Sequence, residues 1–267
     1  MIFSDDKKRV KILVVTHKDY WMPNENIYLP ILVGNNNIEK NFLKDNVGEN
    51  IAYKNKNYCE LTAIYWAWKN LYLKENDYIG LCHYRRYFSD YSKVDVFIKK
   101  DIDSRKNLIM KENRYKEILK NYDVIVGKNA LRRLSMKKQY IKGHNKQSLI
   151  ALRAVISNLY PEDINYFDEI MNKNFLYPYN MFVMSKKYFN EYCEWLFNIL
   201  FNLEKKIDIS KYDNYQSRVF GFLSERLFTI WLLKKNLKIY ESEVIFLEEN
   251  PSLLERIRVF IKSKIYK

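Results

Sequence analysis

The sequence predicts an α/β fold: a single Rossmann-like domain with a mostly parallel central sheet and a helical C-terminal part. Three observations lead there. Short β-branched apolar runs bounded by turn residues alternate with longer stretches of helical period. The first of these follow the order strand, helix, strand, which is the pattern of a right-handed crossover unit. Glycine and proline are scarce, 6 and 5 among 267 residues, which favours helices and short loops over a linker-rich assembly.

Residues 10–16 form a continuous β-branched and apolar run, as a central strand should, and lead into His17-Lys18-Asp19. A second extended piece covers 27–33, where Pro30 argues for an edge or a bulge and Gly34-Asn35-Asn36-Asn37 ends the run. Asn57 and Glu60 have capping-box spacing and predict a helix through Leu73, with Ala63, Trp66, Ala67, Asn70 and Leu71 on one face. Glu75-Asn76-Asp77 then turns the chain into a short buried strand at 78–82. Residues 94–122 are mostly polar and helical, and 122–126 read as a strand ending at Gly127-Lys128. Between 129 and 147 lie Arg132, Arg133, Lys137, Lys138, Lys142 and Lys146, which suggest a mobile or substrate-facing loop. A helix at 147–159, a strand at 179–184, an aromatic helix at 187–203, a long helix at 215–235 and a late strand at 239–247 complete the reading. No internal repeat, low-complexity segment or linker interrupts 1–267, so one domain is expected.

The formal charge of +14 asks for an anionic partner: nucleic acid, an anionic membrane surface or a phosphorylated substrate. The cysteines Cys59, Cys82 and Cys193 are odd in number and sit in apolar runs, so they read as core thiols in a reducing compartment. No apolar run approaches the ~20 residues that span a bilayer. The charged residues 1–11 and the short apolar run after them do not resemble a signal peptide, and a cytoplasmic location is expected. Near the C-terminus, Ser252 and Glu255 have capping-box spacing, and Leu253, Ile257, Phe260 and Ile261 form an apolar stripe. Arg256, Arg258, Lys262, Lys264 and Lys267 make 251–267 a basic helix suited to peripheral contact with anionic lipid on the inner face of the membrane. Lys264 interrupts the stripe, and docking on the domain itself is the competing reading.

The most informative stretch is His83-Tyr84-Arg85-Arg86-Tyr87-Phe88, which follows the apolar strand at 78–82 directly. Ligands of open α/β sheets sit at the carboxyl ends of strands, and planar guanidinium forks suit a phosphate there. The bland alternative is a solvated basic turn. His17-Lys18 and Gly127-Lys128 end two further strands, and parallel strands would bring all three ends to one crevice. Neither a glycine-rich phosphate loop nor a nucleophile elbow is present, which argues against Rossmann dehydrogenases, P-loop enzymes and serine hydrolases. The histidines also lack metal-ligand spacing. A sugar-nucleotide transferase fits what remains. It must neutralise a departing diphosphate with a divalent metal (Mg or Mn) or with Arg and Lys. Asp101-Ile102-Asp103 offers the metal-site candidate, against the simpler reading of a helix start.

The segments 57–70 and 80–88 resemble one bacterial family, a domain-of-unknown-function family (DUF4422-type) of glycosyltransferases from capsule and exopolysaccharide gene clusters. Tyr179-Asn180-Met181-Phe182 with Cys193-Glu194-Trp195-Leu196-Phe197 resembles its central block, and 218–227 its C-terminal block. The resemblance implies a GT-A-type nucleotide-sugar-binding domain, with a donor-binding half at about 1–130 and an acceptor and catalytic half at about 131–250. It also implies transfer of a hexose, galactose or galactofuranose among the candidates, from a nucleoside diphosphate donor such as a UDP-hexose to a lipid-linked oligosaccharide.

On this reading Arg85 and Arg86 clamp the diphosphate, with His17, Lys18, His83, Tyr84 and Arg226 as further donor-binding residues. Trp66, Tyr179 and Asn180 are the candidates for contacts with acceptor or base. Trp66 and Trp68 cannot share a helix face, so one of them is free to stack on a ligand or on a neighbouring helix. Glu225, a carboxylate in the most apolar helix, is either an ion-pair partner of Arg218 or Arg226 or the general base. Glu60 is either the reciprocal half of the capping box or functional. The rival from another class is a non-enzymatic basic nucleic-acid-binding protein. Because the basic residues are scattered and the richest motif lies on a buried strand, no nucleic-acid partner is expected.

Overall fold

In the computed structural model, β1 (Val10–Thr16) is buried on both faces, with only Lys11 partly exposed, as its continuous apolar run demands. The structure describes residues 8–34, 36–91, 101–128 and 133–248. β2 (Tyr28–Leu32) lies parallel on one side of β1, and β4 (Tyr78–His83) lies parallel on the other. The short β3 (Leu43–Lys44) covers β2 only at Ile31 and Leu32, which leaves Pro30 on an edge, where a missing N–H is tolerated.

Beyond β4 the sheet is mixed, not mostly parallel. β7 (Phe182–Ser185) runs antiparallel along β4, pairing Tyr78 with Ser185 through Leu81 with Phe182. β6 (Val124–Gly127) is antiparallel to β7 and parallel to β8 (Ile239–Phe246). β5 (Arg86–Ser89) is antiparallel to β8 and meets β4 at the His83–Arg86 pair, so β4, β5, β8, β6 and β7 form a closed circuit. Alternating apolar residues identify a strand but carry no direction, so the sequence pattern could not reveal this reversal. Gly80 makes the approach of β7 possible. A Cβ there would stand 2.7 Å from the Phe182 carbonyl oxygen and from Val183 Cγ2.

The helix expected over 57–73 is broken. α1 (Asn55–Tyr58) stops at Cys59, whose φ is 52°, and α2 runs Leu61–Asn70. Asn57 caps nothing here; its Nδ2 donates to the Ser217 carbonyl at 2.8 Å, so the capping box does not form. Two short helices, α3 (Ile102–Lys106) and α4 (Glu112–Ile118), pack with Tyr28 and Tyr115 on one face of the sheet. The basic stretch expected as a loop is helical from Met136: α5 (Met136–Gly143) is capped by Ser135 and α6 (Lys146–Leu159) by Asn145. Residues 129–132, Arg132 included, lie outside the described residues. α7 (Ile164–Met171) was not anticipated. α8 (Lys186–Glu204) and α9 (Val219–Lys234) cover the other face, where Phe182, Phe189, Tyr192, Phe228 and Trp231 are fully buried. No helix among the described residues is long and apolar enough to cross a membrane, and the basic segment 251–267 lies outside them.

Just after β3, Asp45 is fully buried, and its carboxylate accepts from the Gly34 amide at 3.1 Å. Burial pushes its pKa from 3.8 up to about 6. The folded protein therefore binds a proton there that the unfolded chain has lost, and stability falls as pH rises from 3.8 to about 6. The contribution is of the order of 3 kcal/mol. Asp45→Asn should flatten this part of the stability curve, as urea denaturation at a series of pH values would show.

Candidate active site

Val15 of β1 lies opposite His83 of β4 in parallel register, so the two carboxyl ends finish side by side. A cavity of about 550 Å³ opens there, walled by these strand ends, the α1–α2 turn, the turn before β7 and the start of α9. The third strand end does not join it. β7 intervenes, and Lys128 pairs instead with Glu243 on β8.

The four residues after Cys82 form a hairpin whose side chains fan around the cavity. His83 Nε2 donates to the Tyr179 carbonyl at 2.7 Å, which places the proton of a neutral ring on Nε2. Burial lowers the His83 pKa; the charge of Glu60 opposes that, and Arg86 and Arg85 add to it. Tyr84 packs edge-on against His17 and Tyr20 at 5.3 and 5.0 Å. Lys18 stands over the same tyrosine rings and does not line the cavity. His17 does line it, and its pKa is lowered by burial and then by Lys18, Arg85 and Arg218.

The two arginines differ. Arg85 covers the Tyr84 ring at 4.8 Å and is paired with Glu248 at 3.0 Å. Arg86 packs against the rings of Tyr179 (4.6 Å) and Phe246 (5.7 Å), which meet each other edge-on at 5.9 Å. Its buried Nε has no hydrogen-bond partner, and no carboxylate pairs with it among the described residues. A cation fixed this way beside a cavity, with no salt-bridge partner among the described residues, is ready for an anion.

The wall opposite is built on a strained turn. Tyr179 and Asn180 both have positive φ, 73° and 51°. Glu225 Oε1 accepts from the Tyr179 N–H at 2.8 Å, and its Oε2 accepts from Arg226 Nη1 at 3.0 Å. Asn180 Nδ2 donates to Glu60 Oε1 at 2.7 Å and to Ser224 Oγ at 2.9 Å.

Three expected ligand contacts take structural positions instead. Arg226 is 2% exposed and donates to the Phe222 carbonyl and to Gln139 Oε1, tying α9 to α5 away from the cavity. Asn180 is 1% exposed and braces Glu60 without lining the cavity. Trp66 is buried in the core, with its ring N–H donating to the Val47 carbonyl at 2.7 Å. Each of the three buries a polar group that has a hydrogen-bond partner, although Asn180 Oδ1 has none among the described residues. His17, His83, Tyr84, Arg85, Arg86, Tyr179 and Glu225 do line the cavity.

The sequence reading passed over Asn55, Lys56 and Asn214, which line the cavity too; it took Cys59 for a core thiol and Arg218 for a possible partner of Glu225, and left Glu60 undecided. Arg218 Nε donates to Cys59 Sγ at 3.3 Å, and burial pushes that thiol up to about 11. Gly221 admits the Cys59 turn; a Cβ there would stand 3.2 Å from its sulfur. The signal available was one glycine in an otherwise bulky helix, four residues before Glu225.

The residues do not suit a resident divalent metal. Asp101 caps α3 through the Ser104 amide, and Asp103 pairs with Lys106. No cluster of three metal-donor side chains occurs among the described residues. The cavity's carboxylates, Glu60 and Glu225, stand among Lys56, Arg85, Arg86 and Arg218, so the charge balance favours anions.

The fold that carries this cavity has a known counterpart. The family model described as a domain of unknown function (DUF4422) matches residues 11–236, and the chain belongs to that family. Its structure is similar to that of the bifunctional glycosyltransferase WbbM in its apo form, with a TM-score of 0.78 and 30% identity. The likeness covers 92% of this chain and 48% of that one, so the chain spans about half the length of WbbM. No curated protein matches it.

Glu225→Gln should lower stability by roughly 1–3 kcal/mol, because it removes a charge-assisted bond from a buried arginine. Thermal melts of the purified variant beside the parent would measure the loss.

Proposed function

We propose that the protein is a glycosyltransferase moving a hexose from a nucleoside diphosphate donor to a lipid-linked saccharide during surface polysaccharide synthesis. The observation that carries this reading is Arg86, a guanidinium without a carboxylate partner among the described residues, packed against the edge-on pair of Tyr179 and Phe246 at a parallel strand end. The likeness to one half of a bifunctional glycosyltransferase supports the same reaction class.

The diphosphate lies against Arg86, with Arg85, Arg218, Lys56 and His17 around it. The diphosphate gains one further negative charge as the glycosidic bond breaks, and fixed cations there stabilise that state without reorganising. These side chains take the part a metal would otherwise fill. The neutral His83 holds the turn that carries Tyr179. A UDP-hexose is the expected donor, galactose or galactofuranose the expected sugar, and the basic segment 251–267 the expected contact with anionic lipid at the inner membrane face.

Calorimetry with UDP, dTDP and GDP tests the donor site. Arg86→Ala should weaken the best-bound nucleotide about tenfold or more, the scale of a lost charge-assisted bond. Arg85→Ala should weaken it less, because Arg85 already shares its charge with Glu248. Unchanged affinity in Arg86→Ala would move the phosphate site elsewhere. Separately, deleting 252–267 should reduce co-sedimentation with phosphatidylserine vesicles; equal binding would rule that segment out as the membrane contact.

A further inference from the structure

We infer that Glu60, and not Glu225, is the carboxylate that takes the proton from the acceptor hydroxyl. The inference rests on the transferase reading above and adds the residue that performs its central proton transfer.

The two carboxylates at the cavity are held in opposite ways. Both oxygens of Glu225 are engaged, one by the Tyr179 amide and one by Arg226. Removing either bond would release the turn that carries Tyr179 or leave a nearly buried guanidinium without its counter-charge. A base must accept a proton without dismantling its surroundings, and Glu225 cannot.

Glu60 meets that requirement. Its Oε1 is fixed by Asn180, itself buried and fixed by Ser224. Its Oε2 accepts no hydrogen bond from any described residue, and the side chain is half-buried in the cavity wall. No lysine or arginine forms a salt bridge with it among the described residues. The backbone explains the placement. Cys59 at φ 52° ends α1 and sets Glu60 at the head of α2, where its side chain makes no capping bond and reaches the cavity instead. An ordinary helix through Cys59 would leave Glu60 one turn inside the helix, the position the capping-box reading gave it.

The step balances without a further reactant. The acceptor oxygen forms its bond to the anomeric carbon while its proton passes to Glu60 Oε2. The bond from the anomeric carbon to the diphosphate oxygen breaks, and its electron pair leaves on the diphosphate, beside Arg86. Glu60 later returns the proton to water. A single displacement of this kind inverts the anomeric configuration.

The test uses the full chain with UDP-, dTDP- and GDP-hexoses, water or octyl glycosides as acceptors, and release of nucleoside diphosphate as the readout. Glu60→Gln keeps an oxygen for Asn180 and should fold normally. Its turnover should fall about 10²-fold or more, with donor affinity by calorimetry unchanged. Glu60→Ala should fall as far and regain activity in formate, which supplies a carboxylate to the vacated space. Glu60→Asp, which keeps the charge and shortens the reach, should fall between parent and Gln variant. Parental turnover in Glu60→Gln, a loss matched by weaker donor binding, or retained anomeric configuration in the product would overturn the assignment while leaving the transferase reading in place. A parent protein that releases no nucleoside diphosphate from any of these donors would overturn both.

Discussion

The turn at Tyr179 and Asn180 holds the site together. Two consecutive non-glycine residues at positive φ are disfavoured by about 1–3 kcal/mol each, so the surroundings must impose the shape. They do so from several parts of the chain. His83 takes the Tyr179 carbonyl, Glu225 takes the Tyr179 amide, and Glu60 with Ser224 takes the Asn180 amide group. The ring thus fixed supports Arg86, and the carboxamide fixes Glu60. One strained dipeptide therefore positions both Arg86 and Glu60 at the cavity. Strain of this sort persists only where it is over-determined.

That turn could not stand where it does without the reversal in the sheet. β7 follows it at once and runs back along β4, against the direction of the strands that deliver His17 and His83. The antiparallel strand carries its preceding loop to the same end of the sheet at which β1 and β4 finish. Gly80 is the local condition for this, because any side chain would strike the β7 backbone. A residue without a side chain in the middle of a central strand thus belongs to the function of the cavity.

What the sequence disclosed and what it hid follow from the range of the forces involved. The first strand and the one before His83 were legible because burial on both faces leaves a continuous apolar run. Their parallel pairing, with two basic ends side by side, followed from the intervening helix. The direction of β7 was hidden because a continuous apolar run reads the same either way. Glu60 stayed undecided because Asn57 and Glu60 have the right separation for a cap, and only the positive φ of Cys59 reveals that no cap forms. Arg226 and Asn180 were expected at the site from the segments that carry the resemblance, but they do not line this cavity. Their partners, Gln139, Ser224 and Glu60, come from distant sequence that no local pattern connects. The basic run around Met136 looked like a loop because its charges hid the two caps that start α5 and α6.

The Arg85–Glu248 pair has a thermodynamic consequence. Leu247 already donates its N–H to the Arg85 carbonyl at 2.9 Å, so the last described residues are fastened to the hairpin that bears the arginines. A guanidinium has one charge to share, and a phosphate drawing on Arg85 draws on the charge that holds Glu248. Linkage makes the exchange reciprocal. An anion that drew on Arg85 would weaken its hold on Glu248, and the loss of Glu248 from Arg85 would change the affinity for that anion by the same factor. The end of the last strand is thereby coupled to the charge at the cavity mouth.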